Sequence, residues 1–506
     1  MTTVEKIKAK ILDLAIRGKL VPQDPNDEPA SVLLERIKAE KAELVKAKKI
    51  KKDKKPSEII IGSDGVPYEK FADGTSKDLS DEISFDIPDS WQWVRLGKIG
   101  DWKAGATPSR NSEDYYKDGD TPWLKTGDLN DGVIYSVPEC ITAEAVLKTS
   151  VRLNPIGSVL IAMYGATIGK VGILGIAATT NQACCACIPN EGIYNTYLFY
   201  FLMSQRNYFK SMGGGGAQPN ISKDIIISTL FPLPPLAEQK RIVAKIEELF
   251  AYADQIGSAS EEITKTAQRL DKKILDLAIR GKLVPQDPND EPASELVKRI
   301  EEQRQAKTGG KKSRIAASHK PTYEIESPFD IPESWQWVKL SDLGSFVGGH
   351  TPSLSDASNW ADGDILWVTS KDMKQKYISD TGCKVSKKGA SELHLLPKGS
   401  LIMVTRSGIL RRTFPIAIAS KPLTINQDQR AIEFYNSEMS EYIYCCLKSF
   451  EPIILRDYRK TGTTVESIIW DKFIHIPIPL PPLAEQKRIV KKINELKEMI
   501  QSLVAL

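Results

Sequence analysis

The chain has 506 residues, of which 41% are hydrophobic and 26% are charged, and its formal net charge is +4. This composition is typical of a folded globular protein of about two to four domains, and it leaves a polyanionic partner open. No apolar run reaches the roughly 18 residues of a membrane helix, and the N-terminus lacks the apolar region of a signal peptide. The seven cysteines fit no disulfide framework, so we expect a reducing cytoplasm.

The first predicted element is a helix that leads into the block ILDLAIRGKLVPQDPNDEPAS at 11–31. The same 21 letters return at 274–294, which is 263 positions later. A shared fold alone would keep only the apolar positions and the turn residues. Because the polar positions match as well, we expect two copies of one partner-docking surface. Its predicted residues are Lys19, Gln23, Asp24, Lys282, Gln286 and Asp287.

A charged linker then leads to FDIPDSWQWV at 85–94, which matches FDIPESWQWV at 329–338, 244 positions later. The tryptophans alternate with polar residues, which predicts a strand with one face in the core. The offset falls from 263 to 244 because the second linker is 19 residues shorter. Basic stretches at 46–55 and 311–314 lie in these linkers, either as solvated hinges or as nonspecific phosphate contacts.

After each of these two tryptophan-containing segments, which we call the entries, comes a variable domain, at about 90–235 and 334–482. Short apolar or β-branched runs alternate there with Gly, Asn, Asp and Pro, which predicts a mixed α/β fold; examples are 158–163, 225–227 and 401–405. The two domains share the short motifs TPS, PxGS and Asn-Gln, which we call anchors, while the residues between these motifs differ. The Asn-Gln pairs recur in both, so we expect them to hold a shared turn. A common frame with different loops allows one fold to read two ligands.

A third repeat, PLPPLAEQKRIV, stands at 232–243 and again at 479–490, 247 positions later. Prolines before the block and a glutamate in its first turn predict the start of a helix. Apolar residues continue at three- and four-residue steps, with an interruption at 257–258, and predict a helix from 236 to 280. Gly281 is expected to terminate this helix. At about 1.5 Å per residue, this helix would be roughly 65 Å long. Four residues of the two copies join the predicted docking surface: Glu238, Gln239, Glu485 and Gln486.

The terminal segments together match the central helical block. Leu506 corresponds to Ala259 at an offset of 247, and Met1 corresponds to Thr264 at an offset of 263. The pattern therefore indicates a repeated sequence whose start and end both fall within the helical block, so that one copy of this block is divided between the two chain ends. We predict an α+β protein in which long helices form an antiparallel coiled coil, with neighbouring chain ends and a pseudo-two-fold cyclic arrangement.

This combination of paired PLPPLAEQ exits, IP-x-SWQWV entries and one whole and one split helical block resembles the specificity subunit of type I restriction–modification systems. The resemblance covers essentially the whole chain. It implies two target-recognition domains, 85–235 and 329–482, each reading one half of a bipartite, asymmetric DNA site. The other implied segments are a helical half-repeat (1–50), a charged linker (51–84), a central helical region (236–294), a second charged linker (295–328) and a C-terminal helix (483–506).

The resemblance also implies partners. The conserved helices would set the distance between the half-sites and dock two methyltransferase subunits, and restriction subunits would join through the complex. S-adenosylmethionine would bind the methyltransferase subunits and not this chain. Double-stranded DNA would be the ligand of this chain, which would itself be non-catalytic.

The loops of both domains carry side chains suited to DNA. Arg and Lys suit guanine edges and phosphates, and Asn and Gln can pair with adenine. Arg411 and Arg412 could equally be an ordinary solvated charge pair. The predicted DNA contacts are Thr107, Ser109, Arg110, Lys125, Thr126, Lys170, Gln218 and Asn220 in the first domain, and His350, Thr351, Ser353, Ser370, Lys371, Arg406, Arg411, Arg412, Arg459 and Lys460 in the second.

Motifs for catalysis are weak. The segment GATIGKV at 165–171 is one residue short of a phosphate loop and lacks the hydroxyl residue after lysine. The four histidines are scattered, and the cysteines at 184–187 lack zinc-ligand spacing. We therefore expect neither catalytic residues nor a metal site. Two other hypotheses stay open: a standalone bivalent DNA-binding or scaffold protein, and a single-chain DNA-modifying enzyme.

Overall fold

The chain folds into two successive units, residues 1–259 and 260–506, that repeat one arrangement of helices and mixed sheets. A computed structural model describes residues 1–47, 56–214, 219–308, 328–462 and 465–505. Most of the basic stretch at 46–55 and all of the stretch at 311–314 lie outside the described residues.

The first unit contains six helices among its described residues, in addition to the beginning of a seventh: α1 (Thr3–Ile16), α2 (Ala30–Lys46), α3 (Ala143–Lys148), α4 (Asn195–Ser204), α5 (Arg206–Met212) and α6 (Lys223–Ser228). Its strands are β1 (Ser57–Ile61), β2 (Pro67–Phe71), β3 (Ser76–Asp78), β4 (Gln92–Arg95), β5 (Gly100–Ala104), β6 (Thr121–Leu124), β7 (Val133–Ile134), β8 (Cys140–Ile141), β9 (Val159–Ala162), β10 (Val171–Leu174), β11 (Thr179–Thr180), β12 (Cys184–Pro189) and β13 (Leu230–Leu233).

A long helix, α7 (Leu236–Ile279), begins in the first unit and ends in the second. The predicted helix is thus confirmed to within one residue, and Gly281 follows it with a φ of +67°, as expected for a glycine that ends a helix. The helix is continuous through Gly257. A Cβ at that position would lie 2.8 Å from Cγ2 of Val4 in α1, so glycine permits the close approach of the two helices.

The second unit continues with α8 (Ala293–Thr308), α9 (Lys387–Ala390), α10 (Ser440–Ser449), α11 (Glu451–Asp457), α12 (Trp470–Phe473) and α13 (Leu483–Ala505). Its strands are β14 (Gln336–Lys339), β15 (Gly344–Gly348), β16 (Ile365–Val368), β17 (Tyr377–Ile378), β18 (Cys383–Val385), β19 (Leu401–Val404), β20 (Ile416–Ala419), β21 (Thr424–Ile425), β22 (Gln429–Phe434), β23 (Arg459–Lys460), β24 (Ser467–Ile468) and β25 (Pro477–Leu480).

The central sheets of the two units have the same topology. A five-stranded sheet has the order β5-β12-β9-β10-β7 in the first unit and β15-β22-β19-β20-β17 in the second. Beside it stand the three-stranded sheets β11-β6-β8 and β18-β16-β21, and the entry strands β4 and β14 pair with the exit strands β13 and β25. The predicted pair of mixed α/β domains separated by a long helix is confirmed.

Each unit also pairs one terminal helix with one half of α7. In the first unit, Nζ of Lys8 lies 2.7 Å from Oδ1 of Asp254 and 5.0 Å from the ring centre of Phe250. With Val4 beside Gly257, these contacts run antiparallel. In the second unit, the end of α7 and the start of α13 share one apolar core, through Ile274, Ala278, Ile489 and Ile493. The cyclic closure of the two ends stays a prediction.

Three local predictions need correction. The run at 225–227 is not a strand but part of helix α6, because the Ser222 hydroxyl accepts the Ile225 amide and starts a helix there. The segment 51–84, expected as linker, contains the sheet β1-β2-β3. Helix α8 likewise occupies much of the second expected linker, and Leu296 and Ile300 bury its apolar face.

Candidate nucleic-acid interface

In the first unit, the loops that carry most of the predicted DNA contacts meet at one edge of the sheets. Strand register pairs Ala104 with Cys185 and Ala162 with Cys184, so β5 and β9 end beside the start of β12. Leu124, the last residue of β6, pairs with Thr180, the last residue of β11. The loops after these strand ends hold Thr107, Ser109, Arg110, Lys125, Thr126 and Lys170.

Arg110 and Lys125 are brought together by Glu139, which sequence reasoning missed. Both cations form ion pairs with the Glu139 carboxylate. The Arg110 guanidinium also lies over the rings of Tyr116 and Trp123, 4.5 and 4.8 Å from their centres. Hydrogen bonds from Arg110, together with Lys125, hold the pKa of Glu139 below its usual range, so this carboxylate stays charged.

A second cluster forms where the loop after β9 meets the segment 219–221. The Gly165 amide donates to the Pro219 carbonyl at 2.9 Å, and Tyr164 forms a β-bridge with Asn220. Tyr164 and Asn220 are both exposed, which suits stacking and amide pairing with bases. Gln218, another predicted contact, lies outside the described residues.

The Asn-Gln pairs hold a shared turn, as predicted. The side-chain oxygens of Asn181 and Asn426 accept the amides of Ala183 and Asp428, each at 3.2 Å. The glutamines beside them, Gln182 and Gln427, accept the hydroxyls of Thr107 and Thr351. These two threonines therefore fix the loops on which the other side chains stand.

The second unit repeats the edge with different side chains. His350, Ser353 and Lys371 are exposed, and Ser370 is half-buried in the turn that Asp372 closes by accepting the Thr369 amide at 2.8 Å. Arg406 pairs with Ser467 in a β-bridge equivalent to that of Tyr164 and Asn220. Arg406, Arg412 and Lys460 are exposed.

Two of the predicted arginines hold the structure of this edge. Glu466 is buried, and its two oxygens accept hydrogen bonds from Arg411 at 3.1 Å and from Arg459 at 2.6 Å. The pairs connect the loop after β19 to the segment between β23 and β24. Arg411 stays half exposed and retains donors for a ligand, whereas Arg459 is mostly covered.

Four predicted docking residues are corrected by their burial. Glu238 accepts hydrogen bonds from Trp91 Nε1 at 2.8 Å and from Gln23 Nε2 at 2.6 Å, and it is fully buried. Gln239 beside it caps loop carbonyls and accepts the Tyr194 amide at 2.8 Å. Glu485 and Gln486 are buried at the equivalent positions of the second unit. Their identity in the two copies reflects a repeated internal network and not a surface.

The rest of the predicted docking surface is exposed in both units, at Lys19, Gln23 and Asp24 and again at Lys282, Gln286 and Asp287. The loops have the same geometry. The oxygen Oδ1 of Asp24 accepts the amide and the side-chain NH₂ of Asn26 at 2.9 and 3.0 Å, and Asp287 repeats both distances with Asn289. We call these six exposed residues the duplicated surface.

Metal ligation and membrane insertion find no support in the part of the chain that the structure describes. No group of three or more His, Cys, Asp or Glu side chains lies together as a metal site there, and none of the described helices is long and apolar enough to cross a membrane. The thiols of Cys184, Cys185 and Cys187 are core groups, and burial raises the pKa of Cys185 to about 12.

A family model described as the type I restriction modification DNA specificity domain matches residues 88–265 and 332–503. The chain belongs to this family. Its two matched stretches cover the two variable domains and the helices that follow them. Its role is therefore that of a DNA-specificity subunit and not of a catalytic subunit.

Individual relatives extend the match to the whole length. The chain is 30% identical over 566 aligned positions to the EcoAI specificity subunit of Escherichia coli, covering 97% of this chain and 89% of that relative. Two solved structures have the same fold: one from a study of complex assembly of a type I restriction–modification system (TM-score 0.54, 20% identity) and an HsdS subunit from Thermoanaerobacter tengcongensis (TM-score 0.52, 18% identity). Each comparison covers 83% of this chain and 93% of the other.

Proposed function

We propose that this specificity subunit reads a bipartite, asymmetric DNA site, one half with each variable domain, and brings two adenine-methyltransferase subunits to it. The observation that carries the proposal is the repeated loop edge. The loops of this edge present Arg110, Lys125 and Asn220 in one unit and Leu354, Arg406 and Arg412 in the other. Because base edges are distinguished by donors, acceptors and methyl groups, unlike side chains on a like frame favour unlike half-sites.

The duplicated surface supports two copies of one partner. Its loops agree in sequence and in hydrogen-bond geometry, while the DNA-facing loops do not. A pair of like surfaces on one chain suits two like methyltransferase subunits. S-adenosylmethionine would bind those subunits, restriction subunits would join through them, and the complex would act on DNA in the cytoplasm.

Helix α7 would act as the spacer between the readers. Its 44 residues correspond to roughly 66 Å at about 1.5 Å per residue. A stiff connection limits which groove positions two domains can reach together. Half-sites about one helical turn apart, roughly 34 Å, would present their major grooves on the same side of the duplex.

Domain exchange tests the proposal. Residues 85–235 are replaced by the corresponding domain of another family member, and the methylated motif is determined in cells that also express the methyltransferase. We expect one half of the motif to change and the other half to stay. The matched control replaces 329–482 and should alter the opposite half. A change of both halves by either exchange would contradict separate readers.

A further inference from the structure

The two units can be compared position by position at the loop edge. Trp123 and Trp367 occupy the same place, and each indole Nε1 donates to a loop carbonyl, that of Ala106 at 3.1 Å and that of His350 at 3.2 Å. A second aromatic ring packs on each tryptophan, Tyr116 at 6.1 Å and Trp360 at 5.0 Å between ring centres. The aromatic base of the site is thus common to both domains.

Three side chains above this base differ. The first unit has Arg110, Lys125 and Glu139, and the TPS anchors and strand pairing place Leu354, Thr369 and Cys383 at the equivalent positions of the second. We call each set a readout triad. In the first triad, two cations share one carboxylate. In the second, no side chain is charged, and the apolar side chain of Leu354 is 76% exposed.

The first triad is preorganised for a base edge. Stacking over Tyr116 and Trp123 fixes the plane of the Arg110 guanidinium, and its Nη1 is bound to Glu139. A guanidinium has five N–H donors in a rigid plane, so donors remain after one is used by the carboxylate. A planar pair of donors on a fixed arginine matches the O6 and N7 acceptors of guanine.

We propose that the readout triads are specificity-determining sites: Arg110, positioned by Glu139, reads a guanine in the first half-site, and Leu354 contacts the methyl group of a thymine at the corresponding place in the second. This inference rests on the proposed reading of one half-site by each domain. It goes further by naming the residues that read the DNA and the bases that they contact.

Substitution of Arg110 tests the first part in the reconstituted complex with the methyltransferase. Binding is measured to duplexes that carry the wild-type motif with each base of the first half-site replaced in turn. Arg110→Leu should lower the preference for guanine at one position by about 10- to 100-fold and leave the other positions unchanged. Arg110→Lys retains the charge but not the planar pair of donors, and should also lose this preference.

Two further variants separate base reading from phosphate contact. Glu139→Gln releases both cations, so binding to unrelated DNA should strengthen while the guanine preference falls. Lys148→Leu is the matched control, because Lys148 is an exposed lysine on α3 that pairs with Glu144; it should leave base preference unchanged. If Arg110→Leu weakened all sequences equally and reduced the salt dependence, Arg110 would be a phosphate contact and the inference would be overturned.

Transfer of the first triad tests the second part. The triple variant Leu354→Arg, Thr369→Lys, Cys383→Glu should replace the thymine preference at one position of the second half-site by a guanine preference. Co-purification with the methyltransferase verifies that the triple variant is folded. If the triple variant does not fold, the single variant Leu354→Ala tests the contact, because it should lose the thymine preference. An unaltered second half-site in Leu354→Ala would overturn the assignment. If the wild-type complex selected no bipartite motif, the proposed function itself would fail, which is a separate outcome.

Discussion

Trp91 donates its indole N–H to the buried carboxylate of Glu238 at 2.8 Å, although 147 residues separate them. The bond joins the residue before β4, the entry strand of the first variable domain, to the first turn of α7. Trp335 and Glu485 repeat it at 2.9 Å in the second unit. In each unit a glutamine of the duplicated block, Gln23 or Gln286, donates to the same carboxylate at 2.6 Å. Within each unit, the three repeated sequence blocks thus meet in one internal hydrogen-bond network.

Removal of this donor should destabilise the unit that contains it. Trp91→Phe leaves the Glu238 carboxylate buried with one hydrogen bond fewer, and bonds to charged groups contribute about 1.5–3 kcal/mol. We expect the free energy of unfolding of the first unit to fall by about that amount in urea titrations. Trp335→Phe is the matched variant and should destabilise the second unit. Equal stability of wild type and both variants would show that the bond is dispensable.

The same carboxylates predict a pH dependence. Burial raises the pKa of Glu238 and of Glu485 above the ordinary 4.5, against the opposing hydrogen bonds from tryptophan and glutamine. A raised folded pKa means that the folded state holds the proton more tightly, so stability should fall as pH rises from 4.5 through the folded pKa. Thermal unfolding of Glu238→Gln/Glu485→Gln, compared with wild type across this range, checks the sign. We expect the stability of the wild type to decline over this range and that of the double variant to stay level. Identical pH profiles of the two proteins would contradict the prediction.

The duplicated surface should bind one partner at each copy. Lys19→Glu reverses a charge in one copy, Lys282→Glu in the other, and both lysines are exposed. Each single variant should retain one methyltransferase subunit, and the double variant none, as measured by native mass spectrometry of co-purified complexes. Lys148→Glu is the control for charge and should retain two. Two subunits bound by the double variant would place docking elsewhere.

Shortening α7 should shorten the spacer of the DNA motif. Residues 258–264 are exposed, so deleting these seven residues removes about two turns with little loss of packing. The helix would shorten by roughly 10 Å, which corresponds to about three base pairs at roughly 3.4 Å each. Methylome sequencing should then report both halves unchanged and a shorter gap between them. An unchanged gap would reject α7 as the spacer.

Sequence patterns predicted the elements whose signals are local or repeated. Proline before Glu238 and the apolar steps after it gave α7 to within one residue, and alternation placed Trp91 in the core. The sheet at 57–78 and helix α8 were missed because their surroundings are rich in charge, and their stability comes from tertiary contacts. Arg95, for example, binds Glu69 of β2 at 2.7 Å, across 26 residues.

The candidate site was predictable in its basic residues and not in their partners. Arg110 and Lys125 attracted attention by residue type, whereas Glu139 and Glu466 became visible only in the fold, which brings them to Arg110 and Arg411 across 29 and 55 residues. Letter-for-letter identity was also misleading at one place. Glu238 and Gln239 match their copies because the interior network must be the same, and identity alone does not distinguish an internal from an external constraint.

The most direct test of the central claim is methylome sequencing of a host that expresses this chain with its methyltransferase. The account predicts methylated adenines in an asymmetric motif with two unlike defined halves and an unspecified gap of fixed length. Omission of this chain should abolish that methylation. A contiguous or palindromic motif, or the same methylation without this chain, would contradict two separate readers on one spacer.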